Sequence, residues 1–136
     1  MKKILLLFFF LNQLSALAQS VDSVYYIINT NKNYDKDGMW KFEYDAPVMY
    51  CILQCPCLKN DERPIFSYKT TEKNKVILSN DKLSLYHLVN LPGLILKAKT
   101  ALTYEQDKKY VFFFIEPSKK RYIVHNTRLS QTQTAN

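Results

Sequence analysis

Hydrophobic and polar positions alternate most strictly at residues 40–45, where Trp40, Phe42 and Tyr44 fall on one side of an extended chain and Lys41, Glu43 and Asp45 on the other. A period of two predicts a half-buried β-strand. Upstream, Val21 to Thr30 is rich in β-branched and aromatic residues and predicts another strand. The polar stretch between them ends in Asp37-Gly38, a pair suited to the positive φ angles of a tight turn, so these two strands are expected to form a hairpin. Pro47 interrupts the run. Val48 to Cys55 then predicts a third strand, with Met49, Cys51, Leu53 and Cys55 on one face, and Pro56 ends it. Two shorter candidates, Ile65 to Lys69 and Lys75 to Ser79, flank a polar stretch and are expected to form a further hairpin.

The period changes after Ser79. Asn80 is placed as an N-cap before Asp81, and Leu85, Leu88 and Val89 fall at helical spacing, although Leu83, Leu85 and Val89 also fit alternation. Asn90 can cap a second helix with Pro92 in its first turn, where a missing N–H does no harm. Its stripe of Leu91, Leu94, Ile95, Ala98 and Leu102 should pack on a sheet. Tyr110 to Glu116 is apolar on both faces and predicts a central strand, followed after a turn at 117–120 by a partner strand from Arg121 to Arg128. Strands, then helices, then a closing hairpin predict an α+β fold: a mainly antiparallel sheet of about five to seven strands, with one or two helices over residues 81–103 packed on it and a C-terminal β-hairpin.

The first twenty residues follow a different pattern. Lys2 and Lys3 precede an unbroken apolar run from Ile4 to Leu11, and Ala16-Leu17-Ala18 has the form of a small-residue cleavage site, together the signature of a secretory signal peptide. The apolar run is shorter than the roughly 20 residues needed to span a bilayer. The expected organisation is therefore a signal peptide at 1–18, one globular domain at 19–129 and a disordered polar tail at 130–136. The expected destination is the periplasm or the exterior of a bacterium. Gln19 rather than a cysteine directly follows Ala18, so no lipid anchor is expected either. Cleavage also removes two of the 19 basic residues, so the mature charge is +5 rather than the +7 of the whole chain.

Export sharpens the question of the three cysteines. Cys51, Cys55 and Cys57 lie within seven residues. The pattern favours a local disulfide with the third cysteine as a small buried hydrophobe. Along an extended strand Cys51 and Cys55 would sit about 13 Å apart, beyond the disulfide limit of about 7 Å between Cα atoms, so bonding between them needs a bent chain. Cys55 and Cys57 are near enough, at the expense of a small ring. The alternatives are a Zn or Cu site joining the thiolates to His87 or His125, a redox-active or nucleophilic cysteine, and an intermolecular disulfide. Neither histidine has zinc-finger spacing, and the C-x-x-C of thiol oxidoreductases is absent.

Asn33, Asp35, Asp37 and Gly38 match the opening of a calcium loop, but Tyr44 stands where the closing bidentate ligand belongs, and a hairpin turn explains the same residues. Lys119, Lys120 and Arg121 suggest a surface for an anionic partner; Lys108 and Lys109 lie at the other end of the intervening strand, about 20 Å away. A solvated turn and strand end explains them better than a partner surface, and nucleic-acid binding by an exported domain is not expected. His125 alternates with Ile123 and reads as a half-buried, hydrogen-bonded residue. No H-E-x-x-H, G-x-S-x-G or phosphate-binding glycine loop occurs. The combined expectation is a small exported, non-enzymatic binding module for a protein or glycan partner, with no cofactor, no membrane anchor and no nucleic acid. The alternative is an extracytoplasmic thiol or metal protein.

Overall fold

The computed structural model describes residues 21–31, 38–59, 62–71, 76–103 and 109–131. The described elements are β1 (Asp22–Ile27), β2 (Trp40–Asp45), β3 (Val48–Leu53), β4 (Pro64–Lys69), β5 (Val76–Leu78), α1 (Asn80–Leu83), α2 (Leu91–Thr103), β6 (Tyr110–Ser118) and β7 (Arg121–Gln131). They form one open α+β sheet in the order β1-β6-β7-β4-β3-β2, with β5 also on β7. Every pairing is antiparallel except β1 with β6. The chain closes on the expected β6–β7 hairpin.

The expected first hairpin does not form. β1 pairs in parallel with β6, Tyr26 opposite Phe114, while β2 pairs with β3 across a turn at Ala46 and Pro47. Two-sided burial accounts for this. β1 sends Val24, Tyr26 and Ile28 into one core and Tyr25 and Ile27 against another, and it sits beside the strand with the same requirement. β2 has apolar residues on one face only and takes an edge. Even that face grades from Trp40, which is buried, through half-buried Phe42 to Tyr44, which is 59% exposed.

β4 and β5 do not form a hairpin with each other either. Both pair with β7, β5 along 122–124 and β4 along 128–131, while β6 holds the opposite edge of β7. An eleven-residue strand is long enough for two partners on one edge. This strand also extends beyond the expected Arg128: Ser130 and Gln131 pair with Ile65 and Pro64, so two residues expected in the disordered tail belong to the sheet. Residues 132–136 and the signal segment 1–20 lie outside the described residues.

The helix expected through Val89 stops at Leu83. Ser79 rather than Asn80 occupies its N-cap position, and its side chain makes no capping bond. Alternation wins beyond the helix: Leu88 forms a parallel bridge to Tyr25, and the Val89 N–H donates to the Tyr25 carbonyl at 2.9 Å. Leu85, left without a face to join, is 81% exposed. The second helix follows its expectation. The Asn90 Oδ1 accepts from the Gly93 N–H at 2.9 Å, and Leu94, Ala98 and Ala101 are buried where α2 crosses the sheet over β1 and β7. The main core lies between α2 and the sheet, centred on Phe66, Phe112, Phe114 and Trp40; the Phe66 and Phe114 rings are 4.7 Å apart. On the other face Leu78, Ile115 and Val124 form a smaller core with Tyr25, Phe113 and Tyr86, closed by α1 and the chain that follows it. No helix among the described residues is long and apolar enough to cross a membrane.

Candidate functional site

Alternation along β6 places Phe112, Phe114 and Glu116 on the face of the main core, and the register sets His125 of β7 directly opposite Phe114. Tyr68 of β4 and Cys51 of β3 face the same core. Four groups with chemistry thereby meet in an otherwise aromatic interior. The Tyr68 hydroxyl donates to Glu116 Oε2 at 2.8 Å. His125 stacks on the Tyr68 ring, with centroids 3.9 Å apart and planes 16° from parallel. Its Nε2 lies 3.6 Å from the same carboxylate oxygen, too far for a hydrogen bond. His125 is 3% exposed, and neither ring nitrogen has a hydrogen-bond partner among the described residues. The expected half-buried, hydrogen-bonded histidine is thus fully buried and held by stacking.

This environment keeps the thiol and the phenol protonated. Burial, reinforced by the Glu116 carboxylate, pushes the Cys51 thiol up to about 12. Burial likewise raises the Tyr68 phenol, followed in effect by Cys51 and the hydrogen bond to Glu116. A protonated thiol is a poor nucleophile and a poor metal ligand, so Cys51 sits here as a small core residue. Tyr68 and Glu116 are the members that sequence reasoning missed. The signal was present for Glu116, which ends the alternating row of Phe112 and Phe114; Tyr68 joins it only through long-range pairing.

The other two cysteines form a disulfide with a Cα–Cα distance of 5.2 Å, and Cys51 remains free and buried. Cys55 is buried and Cys57 exposed, with the Cys57 N–H donating to Cys55 Sγ at 3.3 Å. Among the described residues no group of three or more His, Cys, Asp or Glu side chains could hold a metal ion. The expected donors are dispersed: His87 is exposed in the loop after α1, His125 is enclosed by the core, and two of the three sulfurs are bonded to each other. Asn33, Asp35 and Asp37 lie outside the described residues. Gly38, at φ +66°, has the left-handed conformation expected of the turn residue.

A different surface opens on the outer side of the sheet. Register aligns Tyr50, Ser67 and Arg128 across β3, β4 and β7, on the face opposite Cys51, Phe66 and Thr127. Around them runs a groove of about 480 Å³ lined by Val48, Tyr50, Ser67, Lys69, Asn126 and Arg128. A second groove of about 420 Å³ shares Asn126 and Arg128 with it, takes in Val111 on the outer face and reaches round to Tyr110 and Leu129, which pack on the main core. Lys97 and Lys109 lie against the Tyr110 ring, their Nζ atoms 5.1 and 5.6 Å from its centroid. Tyr110 and Lys97 thus belong to the α2 side of the sheet, whereas the outer face presents Tyr50, Lys69, Asn126 and Arg128. Lys119, Lys120 and Arg121 are elsewhere: they are exposed at the β6–β7 turn, seven residues and about 23 Å along β7 from Arg128. Glu43 is exposed and paired with Lys41, as a solvent face requires. Compared with known protein families, curated proteins and solved structures, the chain matches none of them.

Proposed function

We propose that the protein is an exported, non-enzymatic binding module that takes an acidic glycan along the outer groove of its sheet. One observation carries this reading: the outer groove in which Lys69 and Arg128 flank the Tyr50 ring, the Ser67 hydroxyl and the amide of Asn126. Fixed cations supply charge for carboxylates, and the guanidinium of Arg128 can meet a carboxylate with two parallel hydrogen bonds. The Tyr50 ring offers flat apolar area to a sugar face, and Asn126 and Ser67 can exchange hydrogen bonds with hydroxyls. Export supplies the compartment, read from Lys2, Lys3, the apolar run and Ala16 to Ala18.

The test titrates isotope-labelled mature protein with an oligogalacturonate, with its neutral galactose counterpart, and with a poly-glutamate peptide. Saturable shifts at Tyr50, Lys69, Asn126 and Arg128 are expected with the uronate alone. Arg128→Ala should weaken binding by about tenfold, and affinity should fall as salt is added. Shifts centred on Lys119 to Arg121, or preferential binding of the peptide, would overturn the glycan reading. Mass spectrometry of the exported chain should find Gln19 at its N-terminus.

A further inference from the structure

We propose that the Cys55–Cys57 disulfide is a thiol-exchange site, attacked at Cys57 by cysteine thiols of a partner polypeptide. The inference is independent of the groove and rests on how unequally the two sulfur-bearing residues are placed. Cys55 is 6% exposed and packs in the main core, next to the strand that ends at Leu53. Cys57 is exposed two residues later, on a turn closed by the Leu58 N–H donating to the Cys55 carbonyl at 3.0 Å. A solvent-borne thiolate therefore meets Cys57, and Cys55 becomes the leaving group.

The leaving sulfur has a waiting donor. The Cys57 N–H already points at Cys55 Sγ from 3.3 Å, and a hydrogen bond to sulfur stabilises the thiolate as it departs. Exposed Lys59 adds a positive charge to the same loop. The bond is also dispensable to the fold. With Pro56 as the only residue between its ends, it closes too short a loop to remove much unfolded-chain entropy, whereas Leu53, Cys55 and Leu58 are held by burial. Cys51 does not intercept the exchange, because it is enclosed on β3.

The chemistry balances without a cofactor. A partner thiolate attacks Cys57 Sγ; the Cys55–Cys57 bond breaks, its electron pair leaves on Cys55, and a mixed disulfide joins the partner to Cys57. A second thiolate of the same partner attacks its own sulfur in that mixed disulfide, and Cys57 leaves with the electron pair. The partner dithiol is oxidised by two electrons and gives up two protons, which the Cys55 and Cys57 thiolates take up through solvent. The reverse sequence passes electrons from the reduced pair to a partner disulfide.

Two probes test this on the folded mature protein: reduced glutathione and a synthetic dithiol peptide, each quenched in acid, alkylated and mapped by mass spectrometry. The expected glutathione adduct is on Cys57, with Cys55 released as a free thiol and Cys51 unmodified. One equivalent of dithiol peptide should be oxidised per protein, about tenfold faster than by oxidised glutathione at the same concentration. In Cys55→Ser, pretreated with oxidised glutathione, the adduct should form on Cys57; in Cys57→Ser none should form on buried Cys55. Circular dichroism verifies that both variants are folded, and the wild-type adduct position decides the matter where either is not. Adducts on Cys55 or Cys51, or a disulfide that resists both probes until denaturant is added, would overturn the proposal.

Discussion

At Cys51 a single thiol makes burial measurable. Its ordinary value of 9.0 rises to about 12 in the fold because the thiolate would lose water and face the Glu116 carboxylate. Between those two values the unfolded chain gives up the proton and the folded chain keeps it, so the unfolded state binds fewer protons and stability falls as pH rises. Below pH 9 the contribution is fully present. Thermal melts of the wild type and Cys51→Ala between pH 7 and 12 should therefore diverge in slope. The variant starts less stable by about 1 kcal/mol, for the lost sulfur and its packing, and then loses less above pH 9. Parallel curves would show that the thiol ionises freely in the fold. Tyr68 is shifted in the same direction, in part by Cys51 itself, so the difference reports the thiol together with its coupling to the phenol. His125 completes this cluster by stacking where hydrogen bonds were expected, an outcome decided by Tyr68 arriving from another strand.

Among the elements, α2 is the one whose local signals all agree. Asn90, Pro92 and the stripe from Leu91 to Leu102 specify its start and its buried face, and the structure caps it with Asn90, buries Leu94 and Ala98, packs Leu91 and Ile95 on the core and buries Ala101 where Leu102 is expected. Asn90→Ala removes the oxygen that accepts from the Gly93 N–H, and urea denaturation should register a loss of about 1 kcal/mol with an unchanged slope. An unchanged midpoint would mean that the first turn is satisfied by other means. Strand partners were less legible for a physical reason: alternation reports which face is buried, not which edge is paired. The Asp37-Gly38 pair predicts a turn joining β1 to β2, yet β1 requires a neighbour covered on both faces and finds it in β6. The helix expected through Val89 failed similarly, since Leu85 to Val89 satisfied both periods and the edge of β1 accepted the extended one. Strand geometry leaves Cys55 and Cys57 near enough to bond but does not choose that pair over a bent chain or a metal site, and the outer groove depends on register across three strands that no local pattern contains.

For the whole molecule, the parallel pairing of β1 with β6 joins residues 88 positions apart, so the sheet is completed only when both ends of the domain are in place. Its stability should then be concentrated where strands are paired on both edges and packed on both faces. β6 meets this condition, with Phe112 and Phe114 in one core and Ile115 in the other, and so does β7 at Val124, which pairs with β5 on one edge and β6 on the other. β2 meets neither: β3 is its pairing partner on one edge, and Lys41, Glu43 and Asp45 face solvent. Native-state hydrogen exchange should accordingly find the bonded amides of Phe112 to Ile115 and Val124 to Thr127 exchanging only through global unfolding. Amides in β2 and the three-residue β5 should exchange about a hundredfold faster through local opening. Charged side chains on an edge strand discourage pairing with another chain, which is the behaviour expected of β2. Protection of β2 equal to that of β6 would therefore mean that this edge is covered in solution, and its dependence on protein concentration would identify a second copy as the cover.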